Sequence, residues 1–169
     1  LSLFLTFALF ILCCNVNANA ENGEDLKISA KSAILICADS GQVIYSKKEK
    51  EKLPMASTTK IMTAILALEH SKSEDKRIQI TDDMVRVEGS SMGLMPGNVV
   101  TLENIVKGMM MCSGNDAANT IALSISDSKE KFADLMNEKA RQIGLNDTHF
   151  VTPSGLDDEN HYSTAYDMA

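Results

Sequence analysis

The sequence predicts a mixed α and β fold, an antiparallel hairpin followed by a succession of helices. Three observations predict it. Residues 32–38 and 42–45 are short apolar runs on either side of Asp39-Ser40-Gly41, which has turn composition. Four later stretches repeat apolar residues at helical spacing. Glycine, proline and serine gather between those stretches, at 89–97 and 152–155. A length of 169 residues with 44% hydrophobic content suits one core-forming domain or part of a larger one. The net charge of −7 leaves no basic footprint for nucleic acid, so nucleic-acid partners are not expected.

Residues 1–20 run without a charge to Ala18-Asn19-Ala20, and charges begin at Glu21. A short apolar core before a small-x-small site predicts a secretory signal peptide, too short for a spanning helix. The chain begins without Met or a basic leader, so an N-terminus that is trimmed or wrongly assigned is expected. The first strand of the hairpin is almost continuously apolar, which predicts burial in a sheet of more than two strands. Residues 47–52 read as a solvated charge cluster. Pro54 ends the extended segment, and Ala56-Ser57 opens a helix to about His70 whose Ile61, Ala64, Ile65 and Leu68 are expected to face the core.

Residues 71–76 form a polar connector and 77–80 a short strand. Residues 81–98 hold Gly89, Ser90, Ser91, Gly93, Pro96 and Gly97 and read as a loop. Thr101 caps a helix over 102–111 with Leu102, Ile105, Val106 and Met109 inward. After a break at 112–115, a helix turns Ala117, Ala118, Ile121, Ala122 and Ile125 inward, and another over 129–143 is closed by Gly144. Residues 149–151 are expected extended, 152–155 a turn, and 163–168 the start of a further helix.

Ser57 and Lys60 stand close to one helical turn apart and share a face. A serine hydroxyl becomes nucleophilic when a base takes its proton, and a lysine serves when burial lowers its pKa. A serine at a helix start also lies in the positive end of the macrodipole, beside backbone N–H groups suited to an oxyanion. The plainer reading is a capping serine and a solvated lysine. Ser113-Gly114-Asn115 offers a second hydroxyl, suited to proton relay, and an amide suited to holding a substrate amide or steadying Lys60. Alone it is ordinary turn composition.

Cys37 and Cys112 lie far apart, and His70, His149 and His161 are scattered, so no metal site is expected. Buried free thiols are favoured over a Cys37–Cys112 disulfide. Met84, Met92, Met95, Met109, Met110, Met111 and Met136 read as core and loop filler, and His161 as no more than the beginning of the last helix. Glu88 and Glu103 have no context that separates them from surface glutamates.

Ser-x-x-Lys followed by Ser-x-Asn is the motif pair of penicillin-binding proteins and class A β-lactamases, whose third member is Lys-Thr-Gly. The chain resembles the low-molecular-weight penicillin-binding proteins, the serine-type D-alanyl-D-alanine carboxypeptidases of peptidase family S11. The likeness extends to Ala38-Asp39-Ser40-Gly41, to Leu53-Pro54-Met55-Ala56-Ser57-Thr58-Thr59-Lys60-Ile61-Met62-Thr63, to Ser113-Gly114-Asn115-Asp116-Ala117-Ala118, and to His161-Tyr162-Ser163-Thr164-Ala165-Tyr166-Asp167-Met168. The fold it implies is a β-lactamase/transpeptidase-like antiparallel sheet flanked by helices, truncated before the last sheet strands, with 21–169 the N-terminal part of the catalytic domain.

The resemblance implies removal of the terminal D-alanine from peptidoglycan stem pentapeptides. Ser57 would be the nucleophile, Lys60 its base, Ser113 a proton relay and Asn115 the group that holds the substrate amide. No cofactor is implied, and β-lactams would acylate the same serine. One departure matters: no Lys-Thr-Gly occurs in the 169 residues. In the family that motif lies on a later strand and holds the substrate carboxylate. The chain is therefore expected to be part of a longer exported enzyme of the cell envelope, associated with the membrane through a C-terminal tail. Alone it is expected to be poorly active and, with open strand edges, prone to aggregate. The alternatives are a β-lactamase, disfavoured by the Ser-Gly-Asn form of the second motif, and a non-catalytic cell-wall binder that lacks the third.

Overall fold

In the computed structural model, strand β1 (Ala33–Ile36) pairs antiparallel with β2 (Val43–Lys47). Gly41 turns the chain between them at φ +69°, a conformation that costs glycine little, and its N–H is bonded to the Cys37 carbonyl. The structure describes residues 27–71 and 77–169, of which Lys31–Ala169 form one compact unit. The signal peptide expected at 1–20 and the connector at 72–76 lie outside the described residues.

The burial expected for the hairpin is not found. No third strand pairs with it among the described residues, and Leu35 and Ile44 are 53% and 63% exposed. The short helix α6 (Ala165–Met168) lies against β1 but is too small to cover a sheet face.

A 3₁₀ turn (Ala56–Thr58) leads into α1 (Thr59–Ser71). The buried side of α1 is Thr59, Lys60, Met62, Thr63, Ala64 and Ala67, whereas Ile61 and Leu68 are exposed. The expected stripe is thus rotated. Neighbouring elements take the small and polar side chains of this helix, Thr59, Lys60 and Thr63 by hydrogen bonds, and leave the bulkier Ile61 and Leu68 outside.

Strand β3 (Arg77–Gln79) pairs antiparallel with β4 (Val99–Thr101), a partner that the sequence pattern did not reveal. One turn of helix, α2 (Asp82–Val85), interrupts the stretch read as loop. Thr81 followed by Asp82 and Asp83 is the composition of a helix start, and it is the signal that was there to be used.

Helix α3 (Leu102–Cys112) matches expectation: the Asn104 N–H donates to Thr101 Oγ1 at 3.3 Å, and Leu102, Ile105, Val106 and Met109 are buried. Thr101→Ala is expected to cost about 1 kcal/mol, read as a lower denaturant midpoint at unchanged slope.

Helix α4 (Asn115–Ile125) is the central element. Residues 115–122 are all buried, beyond the single face expected, because α1, α2, α3 and α5 (Lys129–Gln142) surround it. Ser128 caps α5, and Gly144, at φ +87°, ends it with the Leu145 N–H bonded to the Ala140 carbonyl.

Two expectations about sulfur-containing residues are corrected. The thiols of Cys37 and Cys112 are free, but Cys37 is half-buried and Cys112 exposed, its Sγ turned to the Gly108 carbonyl of its own helix and not into the core. Met109 and Met136 fill the core, whereas Met95, Met110 and Met111 face outward, Met111 at 88% exposure. No described helix is long and apolar enough to cross a membrane.

Candidate active site

Ser57 sits on the 3₁₀ turn with its hydroxyl open to solvent, at the N-terminal end of α1. One turn on, Lys60 is only 2% exposed, with Nζ 3.2 Å from Ser57 Oγ and donating to the Ser154 carbonyl at 2.8 Å. Burial holds this amine below the ordinary lysine range, and the nearby Cys112 side chain opposes that shift more weakly. Ser113 Oγ donates to Ser57 Oγ at 2.9 Å. Three of the four residues singled out from sequence therefore meet at one hydroxyl.

The backbone on both sides of that hydroxyl is strained. Ala56 at φ +46° and Ser113 at φ +58° are left-handed residues that are not glycine. Such conformations cost roughly 1–2 kcal/mol each and persist where the surroundings impose them. At Ala56 the surroundings are Gly155: a Cβ on Gly155 would lie 1.9 Å from the Ala56 carbonyl oxygen and 2.8 Å from Thr59 Oγ1. The 151–155 segment thus lies directly on the turn that presents Ser57.

Asn115 is placed differently. It does not hydrogen-bond Lys60; its Nδ2 donates to the Glu88 carbonyl at 2.8 Å, and its backbone N–H to the Ser90 carbonyl at 2.7 Å. Next to it, the buried Asp116 carboxylate accepts from Ser91 Oγ and from the N–H groups of Met92, Gly93, Leu94 and Ala117. Together these residues fasten the 88–94 loop to the start of α4. Glu88 contributes its carbonyl here, and Glu103 pairs with Lys107 on the outer side of α3.

Sequence reasoning missed Thr59, Thr63, Asp116, Ser154, Gly155 and His161. Thr63 Oγ1 donates to the Pro153 carbonyl at 2.6 Å, and His161, far from being just a helix start, is buried with Nε2 2.7 Å from Thr59 Oγ1. Thr152-Pro153-Ser154-Gly155 located the loop by its turn composition without its destination, and Thr59, Thr63, Asp116 and His161 stood within the stretches that carry the family likeness without a role assigned to them.

A family model described as D-alanyl-D-alanine carboxypeptidase matches residues 17–169. The D-alanyl-D-alanine carboxypeptidase DacF of Bacillus subtilis is 43% identical over 156 residues, which cover 89% of this chain and 40% of that protein. The crystal structure of the D-alanyl-D-alanine carboxypeptidase DacD from Francisella tularensis superposes with a TM-score of 0.81 at 35% identity, over 86% of this chain and 36% of the other. Penicillin-binding protein D2 from Listeria monocytogenes, solved in its ampicillin-bound form, superposes with a TM-score of 0.73 at 28% identity, over 86% of this chain and 60% of the other.

The helices and small antiparallel sheets are thus those of the penicillin-binding and transpeptidase fold, of which this chain carries a part. It spans about two fifths of the length of the curated relative named above. Since the family match runs over nearly all 169 residues, this chain belongs to the D-alanyl-D-alanine carboxypeptidase family, peptidase S11.

Proposed function

We propose that the whole protein is an exported serine D-Ala-D-Ala carboxypeptidase of the cell envelope, which removes the terminal D-alanine from peptidoglycan stem pentapeptides. The observation that carries this reading is the Ser57 hydroxyl held between the buried Lys60 amine at 3.2 Å and the Ser113 hydroxyl at 2.9 Å. A neutral Lys60 accepts the Ser57 proton as Oγ attacks the carbonyl of the penultimate D-alanine. Burial lowers the pKa of the amine and so favours its base form, and the bond to the Ser154 carbonyl orients it.

The proton then passes through Ser113 to the nitrogen of the departing D-alanine. An acyl-enzyme remains on Ser57 until water, deprotonated by Lys60, hydrolyses it. Asn115, at the start of α4, holds the substrate amide. The bond from Nδ2 to the Glu88 carbonyl fixes the orientation of that side chain before substrate arrives. No step requires a cofactor. A β-lactam ring meets the same hydroxyl and acylates it, in keeping with the ampicillin-bound relative. The substrate carboxylate would be held by a Lys-Thr-Gly strand beyond these residues, and a C-terminal tail would associate with the membrane.

The test is intact mass of the full-length protein after brief incubation with benzylpenicillin, beside Ser57→Ala. A persistent adduct of one drug molecule, absent from the variant, is expected, along with release of D-alanine from a peptide ending in D-Ala-D-Ala. An unmodified protein with intact drug would sink the catalytic reading in favour of a cell-wall binder. Consumed drug without an adduct would move the assignment to a β-lactamase.

A further inference from the structure

His161 touches neither Ser57 nor Lys60 through its ring, yet its surroundings bear on both. The ring is 3% exposed, with Phe150 edge-on to it at 5.9 Å between centroids. Its Nδ1 accepts the backbone N–H groups of Val151 at 3.0 Å and Thr152 at 3.3 Å. Two donors aimed at Nδ1 leave that nitrogen unprotonated, so the proton sits on Nε2 and is donated to Thr59 Oγ1 at 2.7 Å. One ring therefore ties the start of the 151–155 loop to the residue before Lys60. From that loop come the Pro153 carbonyl bound by Thr63 and the Ser154 carbonyl bound by Lys60.

We infer that His161 is a positioning residue for acylation: its neutral ring locks the 151–155 loop onto α1 and so holds the Ser154 carbonyl against the Lys60 amine. The inference rests on the reading of Ser57 and Lys60 as nucleophile and base. An imidazolium cannot fill this place, because a protonated Nδ1 would face two N–H donors. Burial, the largest influence on the ring, favours the neutral form, as does the weaker effect of His149; the Asp157 and Asp158 carboxylates of the following loop favour the charged one. The α1 group that meets the ring is the uncharged Thr59.

The experiment uses the full-length protein and measures the second-order rate of Ser57 acylation by benzylpenicillin across pH, for wild type, His161→Gln and Thr59→Val. Both substitutions are close in volume to the residue they replace, and near-ultraviolet circular dichroism reports the fold. Each variant is expected to acylate at least about tenfold more slowly, since misplacement of the base by a fraction of an ångström is felt strongly in rate. In the wild type the acid limb should steepen from one proton to two where His161 becomes charged. In His161→Gln it should stay at one, that of Lys60 alone. Folded variants that acylate within twofold of wild type, with the second proton still present in His161→Gln, would overturn the inference. A wild-type protein that forms no adduct would instead overturn the Ser57 reading, and with it this one.

Discussion

In the Gly155→Ala protein, acylation of Ser57 by benzylpenicillin is expected to slow by about a hundredfold or more, the penalty for reacting groups displaced by roughly 1 Å. The added methyl would stand 1.9 Å from the Ala56 carbonyl oxygen, so either the 56–58 turn or the 152–155 loop has to move. Both alternatives damage the same reaction, because the first carries Ser57 and the second carries the carbonyl that holds Lys60. The φ of +85° adds strain of about 1 kcal/mol for a residue with a Cβ. Stopped-flow or quenched intact-mass kinetics on the full-length variant checks the rate. An alanine variant within a few-fold of wild type would mean that the turn and the loop are not coupled as described.

The second large effect is expected at Asp116, and it falls on stability. Asp116→Ala would leave five donors, from Ser91, Met92, Gly93, Leu94 and Ala117, without their shared acceptor. Hydrogen bonds to a charged group are worth about 1.5–3 kcal/mol each. Several of these donors lie near the surface and can turn to water, so a total of about 3–5 kcal/mol is expected. It would be measured as a lower denaturant midpoint.

The dependence on pH follows from the charge. Burial alone would raise the carboxyl pKa, but the bonds from Met92, Ser91, Leu94 and Ala117 outweigh it and hold the group below the ordinary aspartate value. The stabilisation is therefore complete above the unfolded-chain value of about 3.9 and is lost as pH falls through the lower folded value. The gap between wild type and Asp116→Ala should be constant near neutrality and close in strong acid. A gap that widened on acidification would contradict the charge assignment.

What the sequence disclosed depended on whether the partner of a residue lay nearby along the chain. Thr101, Leu102, Ile105, Val106 and Met109 declare a cap and a buried face within one helix, and the structure agrees in each. Ser57 and Lys60 are legible for the same reason, being one turn apart. The buried face of α1 was not legible. Its polar members, Thr59 and Thr63, are buried because a distant ring nitrogen satisfies the first and a distant carbonyl the second, and hydrophobic periodicity is blind to that. Val99–Thr101 hid as a strand because three residues show no alternation and their pairing partner lies across a glycine-rich stretch. The hairpin failed in the opposite direction: its composition reports a covering that the described residues do not include.

The seat of Lys60 also constrains the order of assembly. The bonds that fix α1 reach residues 90, 94 and 102 positions further along the chain. Contacts of such separation close late, after the entropy of the long intervening loop has been overcome. During synthesis Ser57 and Lys60 emerge together, ahead of the residues whose bonds hold the amine in place. On the proposed reading of Ser57 and Lys60, a nascent chain that has not reached His161 is expected not to react, and a slow step in docking the 149–164 segment would show as a lag between helix formation and the first penicillin adduct.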